Sequence, residues 1–262
     1  LSQVQRWVDR TGKSVVLFPP LSSPNVVNMD RAPMVTQTAT GSLILFGPSQ
    51  ALGIQGGDSL SMVASQYTAS LYVRDVNNIG PGLRLFTLSP SDNSSTGYLV
   101  IDIYEVPNAK ILVRAFEYYD NNTYGYADVE LPNTALSGGL SVVARFSEDP
   151  AQMRLAVNGI EGGALAVGSP SKLGNLARVL SLHGPDHFTG GFSLAGLAVW
   201  KEELTNSQMV SLSQSFRTYY ESGGTSTIGY EENSGSGGSS GTLTFSKIRS
   251  SFNTCINWHD QF

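Results

Sequence analysis

Apolar and polar residues alternate along most of the chain, and this period of two predicts β-strands. Leu99, Ile101 and Ile103, for example, alternate with polar or aromatic neighbours. Alternating or continuously apolar strands are predicted at residues 43–46, 67–74, 83–88, 98–106, 110–116, 140–146 and 192–200. Successive side chains of a strand point to opposite faces of its sheet, so one face of each strand is expected to enter a core.

Two local signals predict where the chain turns and where it becomes helical. The pair Asn158-Gly159 favours a type I′ hairpin, because both residues tolerate the positive φ that this turn requires. Thr205 and Gln208 have the spacing of a capping box at the start of a helix. Apolar residues then recur three and seven positions apart, which predicts one short helix over an edge or an end of the sandwich.

Composition supports an all-β chain and excludes several partners. The 262 residues include 28 Gly, 11 Tyr and 11 Phe, and only 14% are charged, a profile typical of short strands joined by tight turns. The net charge is −5 and the basic residues are scattered, so no nucleic acid is expected as a partner. Membrane insertion is not expected either, because no apolar run approaches the roughly 18–20 residues of a spanning helix.

Composition also shifts along the chain and predicts three parts. Residues 1–221 are predicted to form the β-sandwich, and residues 222–241, rich in Gly and Ser, a flexible linker. Residues 242–248 alternate again, and residues 242–262 carry large apolar side chains, which cost free energy if left in water. This last segment is therefore expected to dock as an added strand or apolar clasp, either on this sandwich or on a neighbouring subunit.

Several motifs occur in an order that resembles a known superfamily. They are Trp-Val-Asp-Arg-Thr-Gly at 7–12, Arg-Ala-Pro at 31–33, the strand at 43–46, Leu-Ala-Val-Asn-Gly at 155–159, and the strand at 192–200 with its capped helix. Together they resemble the concanavalin A-like lectin and glucanase superfamily, specifically its laminin G-like and pentraxin-like branch, over roughly residues 4–217. The resemblance implies a two-sheet antiparallel jelly-roll sandwich used for sugar or protein recognition, and for glycan hydrolysis in some branches.

The hydrolytic branches resemble one another at a Glu-x-Asp-x-x-Glu strand that this chain lacks. Val100 stands where the first Glu is expected, and Glu105 follows Asp102 by three residues, which places it on the opposite face of a strand. Retaining hydrolysis needs two carboxyl groups about 5–5.5 Å apart. No catalytic residue is therefore predicted.

If the aliphatic residues form the core, the residues that alternate with them share an exposed sheet face. Aromatic rings cover the apolar C–H faces of sugars, and guanidinium groups donate fixed pairs of hydrogen bonds. The predicted ligand-binding residues are Tyr72, Arg74, Arg84, Phe86, Asp102, Tyr104, Arg114, Phe116 and Arg145. Packing of another domain or subunit on this face is the alternative interpretation, because large aromatics also mark protein interfaces.

Calcium is the one cofactor that the resemblance implies, because many relatives bind Ca²⁺ with oxygen ligands from loops. The candidate ligands are Asp75, Asn77, Asp120 and Asn121. Asp and Asn also stabilise turns without an ion, so both interpretations remain open. His183 and His187 flank a Gly-Pro turn and lack the third and fourth ligands that zinc usually takes.

Three functions follow from these observations. The first is a non-catalytic adhesive or carbohydrate- or receptor-binding module that is extracellular: secreted, or displayed on a cell, fibre or virion surface. The alternative is a structural module of a larger extracellular or virion assembly, reached through the C-terminal segment. A polysaccharide hydrolase is the third. The expected partner is a glycan or a surface protein receptor.

Overall fold

The protein is described here by a computed structural model. The structure describes residues 2–4, 7–8, 16–17, 19–23, 26–38, 41–53, 63–64, 66–90, 97–120, 123–147, 149–167, 176–183, 190–200, 203–222, 228–231, 240–243 and 255–258.

Within these residues the chain is almost entirely β-structure. The strands in chain order are β1 Ser2–Gln3, β2 Trp7–Val8, β3 Val16–Leu17, β4 Leu21–Ser23, β5 Val26–Val27, β6 Met34–Thr38, β7 Gly41–Phe46, β8 Leu52–Gly53, β9 Val63–Ala64, β10 Tyr67–Asn77, β11 Leu83–Pro90, β12 Tyr98–Val106, β13 Lys110–Asp120, β14 Thr123–Pro132, β15 Leu140–Phe146, β16 Arg154–Val157, β17 Ile160–Gly162, β18 Ala164–Val167, β19 Leu176–Leu182, β20 Gly191–Trp200, β21 Ile228–Glu231, β22 Ser240–Leu243 and β23 Cys255–Trp258. Helix α1 is Asn206–Glu221, and short 3₁₀ turns lie at Met29–Arg31, Asn133–Gly138 and Pro150–Gln152.

Two antiparallel sheets form the sandwich. The first sheet has the order β1-β6-β7-β20-β10-β15-β16-β17, with β23 also paired to β20. The second has the order β18-β14-β13-β12-β11-β19-β8, with β9 also paired to β19. The alternating aliphatic residues of both sheets meet in one core, where Leu99, Ile101 and Ile103 are fully buried. The jelly-roll sandwich expected from the sequence is confirmed.

The predicted turn and helix are present. Asn158 and Gly159 both have positive φ, 53° and 84°, as a type I′ hairpin between β16 and β17 requires. Thr205 caps helix α1, since its side chain accepts from the backbone N–H of Gln208 while the Gln208 side chain accepts from the backbone N–H of Thr205. Both orphan donors at this helix start are thereby satisfied.

Helix α1 covers the outer face of the first sheet. Tyr220 of the helix stacks on Tyr72 of β10, with ring centroids 4.4 Å apart and planes at 15°. The Tyr220 hydroxyl donates to the carbonyl of Ala195 (3.2 Å), and the Tyr72 hydroxyl donates to the carbonyl of Gly138 (3.0 Å). Met209 adds a second apolar cluster against the same face. The central strands of the first sheet are consequently buried on both faces.

The second sheet is different, because its outer side chains remain partly exposed. In β13 and β14 the residues alternate between buried and half-exposed along much of each strand, whereas in β12 the residues from Leu99 to Ile103 are all buried. Such alternation is expected of an antiparallel sheet with one face on the core and one face uncovered.

The C-terminal part contains three short strands. β21 pairs with β22, and β23 pairs with β20 from Leu197↔Trp258 to Trp200↔Cys255. The division of the chain at residues 222 and 242 stays a prediction. Among the residues that the structure describes, no helix has the length and apolar character of a membrane span.

The close approach of Tyr220 to β20 generates a stability prediction. A Cβ added at Gly196 would overlap the Tyr220 hydroxyl, so Gly196→Ala is expected to reduce the free energy of unfolding by about 1–3 kcal/mol. Tyr220→Phe removes the obstructing oxygen, and the double variant should lose clearly less than the sum of the two single losses. Urea denaturation of the four proteins measures this coupling, and strictly additive losses would contradict the packing described.

His183 generates a prediction about acid stability. This residue is 1% exposed, its ring meets Phe46 and Phe192 edge-on, and its Nδ1 lies 3.2 Å from the Arg84 carbonyl oxygen. Burial lowers its pKa below the usual 6.5, so below about pH 6.5 the unfolded chain takes up a proton that the folded chain refuses. Stability should therefore fall from pH 7 toward pH 5.

The matched variant is His183→Asn, since Asn does not titrate and tolerates the positive φ of this position (53°). Denaturation at pH 7 and pH 5 should show a smaller acid loss in this variant than in the wild type. An equal loss in both proteins would mean that His183 does not contribute to the acid sensitivity.

Candidate functional site

The outer face of the second sheet, which no other described residues cover, is the candidate site. It is formed by β11, β12, β13, β14 and β18, whose register aligns the outward residues in rows across the strands. We call this surface the aromatic–charged face. Its side chains are Arg84, Tyr98, Asp102, Tyr104, Arg114, Phe116, Tyr118, Tyr124, Tyr126, Asp128 and Leu165.

A row of alternating charges crosses the middle of this face. Arg84 is opposite Asp102, Asp102 is opposite Arg114, and Arg114 is opposite Asp128. Each arginine binds one carboxylate through both Nε and Nη2, at 3.0 and 3.1 Å for Arg84–Asp102 and at 2.7 and 2.7 Å for Arg114–Asp128. Because these pairs are partly exposed, each contributes only about 0–1 kcal/mol to stability. Their bidentate geometry mainly fixes where the donors and acceptors point.

Aromatic rings lie beside the charged row. Tyr118, Phe116, Tyr124 and Tyr126 form a continuous string with centroid separations of 6.3, 5.5 and 6.3 Å and interplanar angles of 23°, 28° and 20°. Leu165 of β18, which is 51% exposed, lies opposite Tyr126 and extends the apolar strip. We call these four rings the aromatic string.

Arg114 and Tyr104 connect the string to the charged row. The Arg114 guanidinium lies 4.4 Å from the Tyr126 ring centroid and 5.9 Å from that of Tyr104, both within the range of cation–π attraction. The Tyr104 hydroxyl donates to Asp102 Oδ2 at 3.1 Å. Burial, together with the negative charge of Asp102 and this hydrogen bond, raises the pKa of Tyr104 to about 12.

Five of the nine predicted ligand-binding residues lie together on this face. They are Arg84, Asp102, Tyr104, Arg114 and Phe116. Their mutual contacts follow from the strand register, which pairs Arg84 with Asp102 and Asp102 with Arg114.

The other four do not join them. Phe86 is fully buried and stacks on Phe146 (6.4 Å), because a register shift between Arg84 and Phe86 turns its side chain inward. Tyr72 and Arg145 belong to the first sheet, whose outer face is covered by the helix and the segment before it. Arg74 is exposed, but it also belongs to the first sheet.

The guanidinium group of Arg145 forms hydrogen bonds within the fold. Its Nε and Nη2 donate to the carbonyl of Gln152 (2.9 and 2.7 Å), and its Nη1 donates to the carbonyl of Leu204 (2.7 Å). The guanidinium thereby ties the segment that leads into helix α1 to the turn before β16. These bonds occupy the donors that were expected to meet a ligand.

The sequence interpretation missed part of the face, namely Tyr98, Tyr118, Tyr124, Tyr126, Asp128 and Leu165. The signal was present, because Tyr124, Tyr126 and Asp128 alternate with Gly, Ala and Val. Residues 123–132 contain two tyrosines, Tyr124 and Tyr126, and the small residues Gly125 and Ala127 between and after them fit the inward face of a strand packed closely on the core.

The calcium candidates are dispersed. Asp75 has a φ of 51°, and Asn77 Nδ2 donates to the Asp75 carbonyl (3.0 Å), as in a local turn at the end of β10. Asp120 is the last residue of β13, and Asn121 lies outside the described residues, as does His187. In the described parts of the chain, no three His, Cys, Asp or Glu side chains are grouped as metal ligands. Calcium binding stays a prediction.

Comparisons with known proteins identify the fold but no close relative. No protein-family model matches the sequence, and no curated protein is significantly similar to it. The binding domain of botulinum neurotoxin DC matches in structure, in a complex with rat synaptotagmin II (TM-score 0.54, 10% identity) and in a complex with SialylT (TM-score 0.53, 9% identity). Each match covers 94% of this chain and 63% of the other, so the chain spans less than two thirds of the toxin domain.

A carbohydrate complex is also among the structural matches. Domain 4 of AbnA, a GH43 extracellular arabinanase from Geobacillus stearothermophilus, was solved with arabinotriose and matches with a TM-score of 0.52 at 12% identity. This match covers 81% of the chain and 100% of the domain. At such identities the likeness establishes the architecture alone, a two-sheet antiparallel jelly roll.

The contact between Tyr104 and Asp102 generates a titration prediction. Since the folded-state pKa of Tyr104 is about 12 and that of an unfolded tyrosine about 10, its contribution to stability is present below pH 10 and is lost as the pH rises toward 12. The difference in phenolate absorbance between the wild type and Tyr104→Phe should show a midpoint near 12. Asp102→Asn should lower that midpoint, and a wild-type midpoint near 10 would contradict the contact.

Proposed function

We propose that this chain is a non-catalytic carbohydrate-binding module that binds glycans through the aromatic–charged face. The observation that carries this proposal is the aromatic string beside two bidentate arginine–aspartate pairs on an uncovered sheet face. We further propose that the protein acts outside the cell in adhesion or receptor binding, either secreted or displayed on a cell, fibre or virion surface.

The two components of the face suit the two chemical sides of a sugar. Aromatic rings provide apolar area of fixed orientation for C–H faces. The paired arginines and aspartates provide donors and acceptors for hydroxyl groups, already held in place by the strand register. Binding to such a preorganised surface loses little conformational entropy.

A glycan fits this surface better than a protein partner does. Cores of protein–protein interfaces are depleted of charged residues, which lie instead at the rim. Here the charged row crosses the middle of the face, between the aromatic string and Tyr104. The arabinotriose complex of the arabinanase domain supports the same choice, because it is a sugar complex of a similar fold.

Catalysis is not part of the proposal. Asp102 and Asp128 each accept two hydrogen bonds from an arginine. Glycoside hydrolysis requires one carboxyl group that protonates the leaving oxygen and a second that acts on the opposite side of the sugar ring. An arginine-bound carboxylate is poorly suited to donate that proton.

Removal of one ring from the string tests the proposed function. Tyr126→Ala deletes the ring that contacts both Tyr124 and Arg114, and it should weaken binding of a glycan identified on an array at least tenfold, about 1.4 kcal/mol. Tyr219→Ala is the matched control, since it removes a partly buried tyrosine from helix α1, which covers the opposite sheet.

Titration calorimetry measures the glycan affinity of both folded variants. Full affinity in Tyr126→Ala, or loss of affinity in Tyr219→Ala alone, would place the binding site elsewhere. Absence of binding to every glycan on the array would reject a carbohydrate ligand and favour the structural module of a larger assembly.

A further inference from the structure

We infer that the aromatic–charged face selects uncharged glycans and rejects acidic ones; this inference rests on the proposed function. Among the described residues of the face and of the adjoining ends of β13 and β14, each cation is paired with a carboxylate. The pairs are Arg84–Asp102, Arg114–Asp128 and Lys110–Glu130. Three positive and three negative charges therefore cancel on the surface itself.

The order of the charges strengthens this balance. Because the strand register alternates arginine and aspartate along the central row, any position of a ligand near an arginine is also near an aspartate. An acidic sugar that approached Arg114 would meet Asp128, which already holds the guanidinium Nε and Nη2 at 2.7 Å. Displacing that carboxylate exchanges one charge-assisted pair for another and leaves a buried or half-buried aspartate without its partner.

Neutral hydroxyl groups meet no such conflict. The pairing through Nε and Nη2 leaves Nη1 of Arg114 outside the bidentate contact with Asp128, and the guanidinium carbon lies 4.4 Å from the Tyr126 ring centroid. A hydroxyl group accepts from such a nitrogen and donates to a carboxylate oxygen at the same time. The Tyr104 hydroxyl, which donates to Asp102, retains lone pairs that accept from a further hydroxyl.

The charge of the whole chain acts in the same direction. The formal net charge is −5, so a polyanion is repelled before it reaches the face, whereas a neutral polymer is unaffected. Binding of a neutral glycan should also depend little on salt, because no counterion is released.

The experiment removes the negative charge that is paired with one arginine of the face. Asp128→Asn keeps the shape of the side chain but removes the charge that neutralises Arg114, whereas Asp30→Asn removes the same charge from an exposed position in the 3₁₀ turn before β6 of the first sheet. Affinity electrophoresis of the wild type and both variants uses neutral polymers (a β-glucan, a galactan, an arabinan) and acidic polymers (polygalacturonate, alginate) at low and at physiological salt.

The expected results separate the inference from the proposed function. The wild type should bind a neutral polymer with less than about a twofold change between the two salt concentrations, and should not bind the acidic ones. Asp128→Asn should gain at least about tenfold in affinity for an acidic polymer at low salt and lose this gain at physiological salt, while Asp30→Asn should gain nothing.

Two results would overturn the inference and leave the proposed function intact: wild-type binding to acidic polymers with steep salt dependence, or no gain in Asp128→Asn relative to Asp30→Asn. Failure of the wild type to bind any polymer, neutral or acidic, would instead reject the proposed function itself. Thermal unfolding of both variants confirms that each is folded when it is assayed.

Discussion

The docking of helix α1 on the first sheet determines which surface of this sandwich remains for recognition. Two stacked sheets have two outer faces, and each face exposes a full set of alternate side chains unless something covers it. The stack of Tyr72 on Tyr220 and the hydrogen bond from Tyr220 to Ala195 hold the helix on one of them. The second sheet has no such cover among the described residues, so most of its outward aromatic and charged side chains remain partly exposed, although Asp102 is buried between its neighbours.

The strand register then gives the uncovered face its chemistry. A shift of one residue in any strand would turn its outward side chains into the core, so the row from Arg84 to Asp128 exists only because the buried aliphatic residues fix the pairing. The same constraint that forms the core therefore arranges the charges in alternation and the rings in a string. The candidate site and the core lie on opposite faces of the same strands, so a change of strand register would alter both.

Much of the fold could be predicted from local patterns in the sequence. The strands, the Asn158-Gly159 hairpin and the capping box at Thr205 depend on residues close together in the chain, and all were confirmed. The candidate face was predicted in part, since Arg84, Asp102 and Arg114 alternate with aliphatic residues in their own strands. Features that depend on tertiary packing could not be predicted, because a sequence pattern does not show that a helix covers Tyr72 or that a register shift turns Phe86 inward.

The central claim is that ligand binds on the aromatic–charged face, and amide chemical-shift mapping tests it most directly. A neutral oligosaccharide that binds the chain is titrated into isotope-labelled protein. The account predicts shifts concentrated in residues 84–87, 98–104, 112–118 and 124–130, with little change in helix α1. Shifts concentrated in helix α1 and the first sheet, with strands β12 to β14 unperturbed, would contradict it.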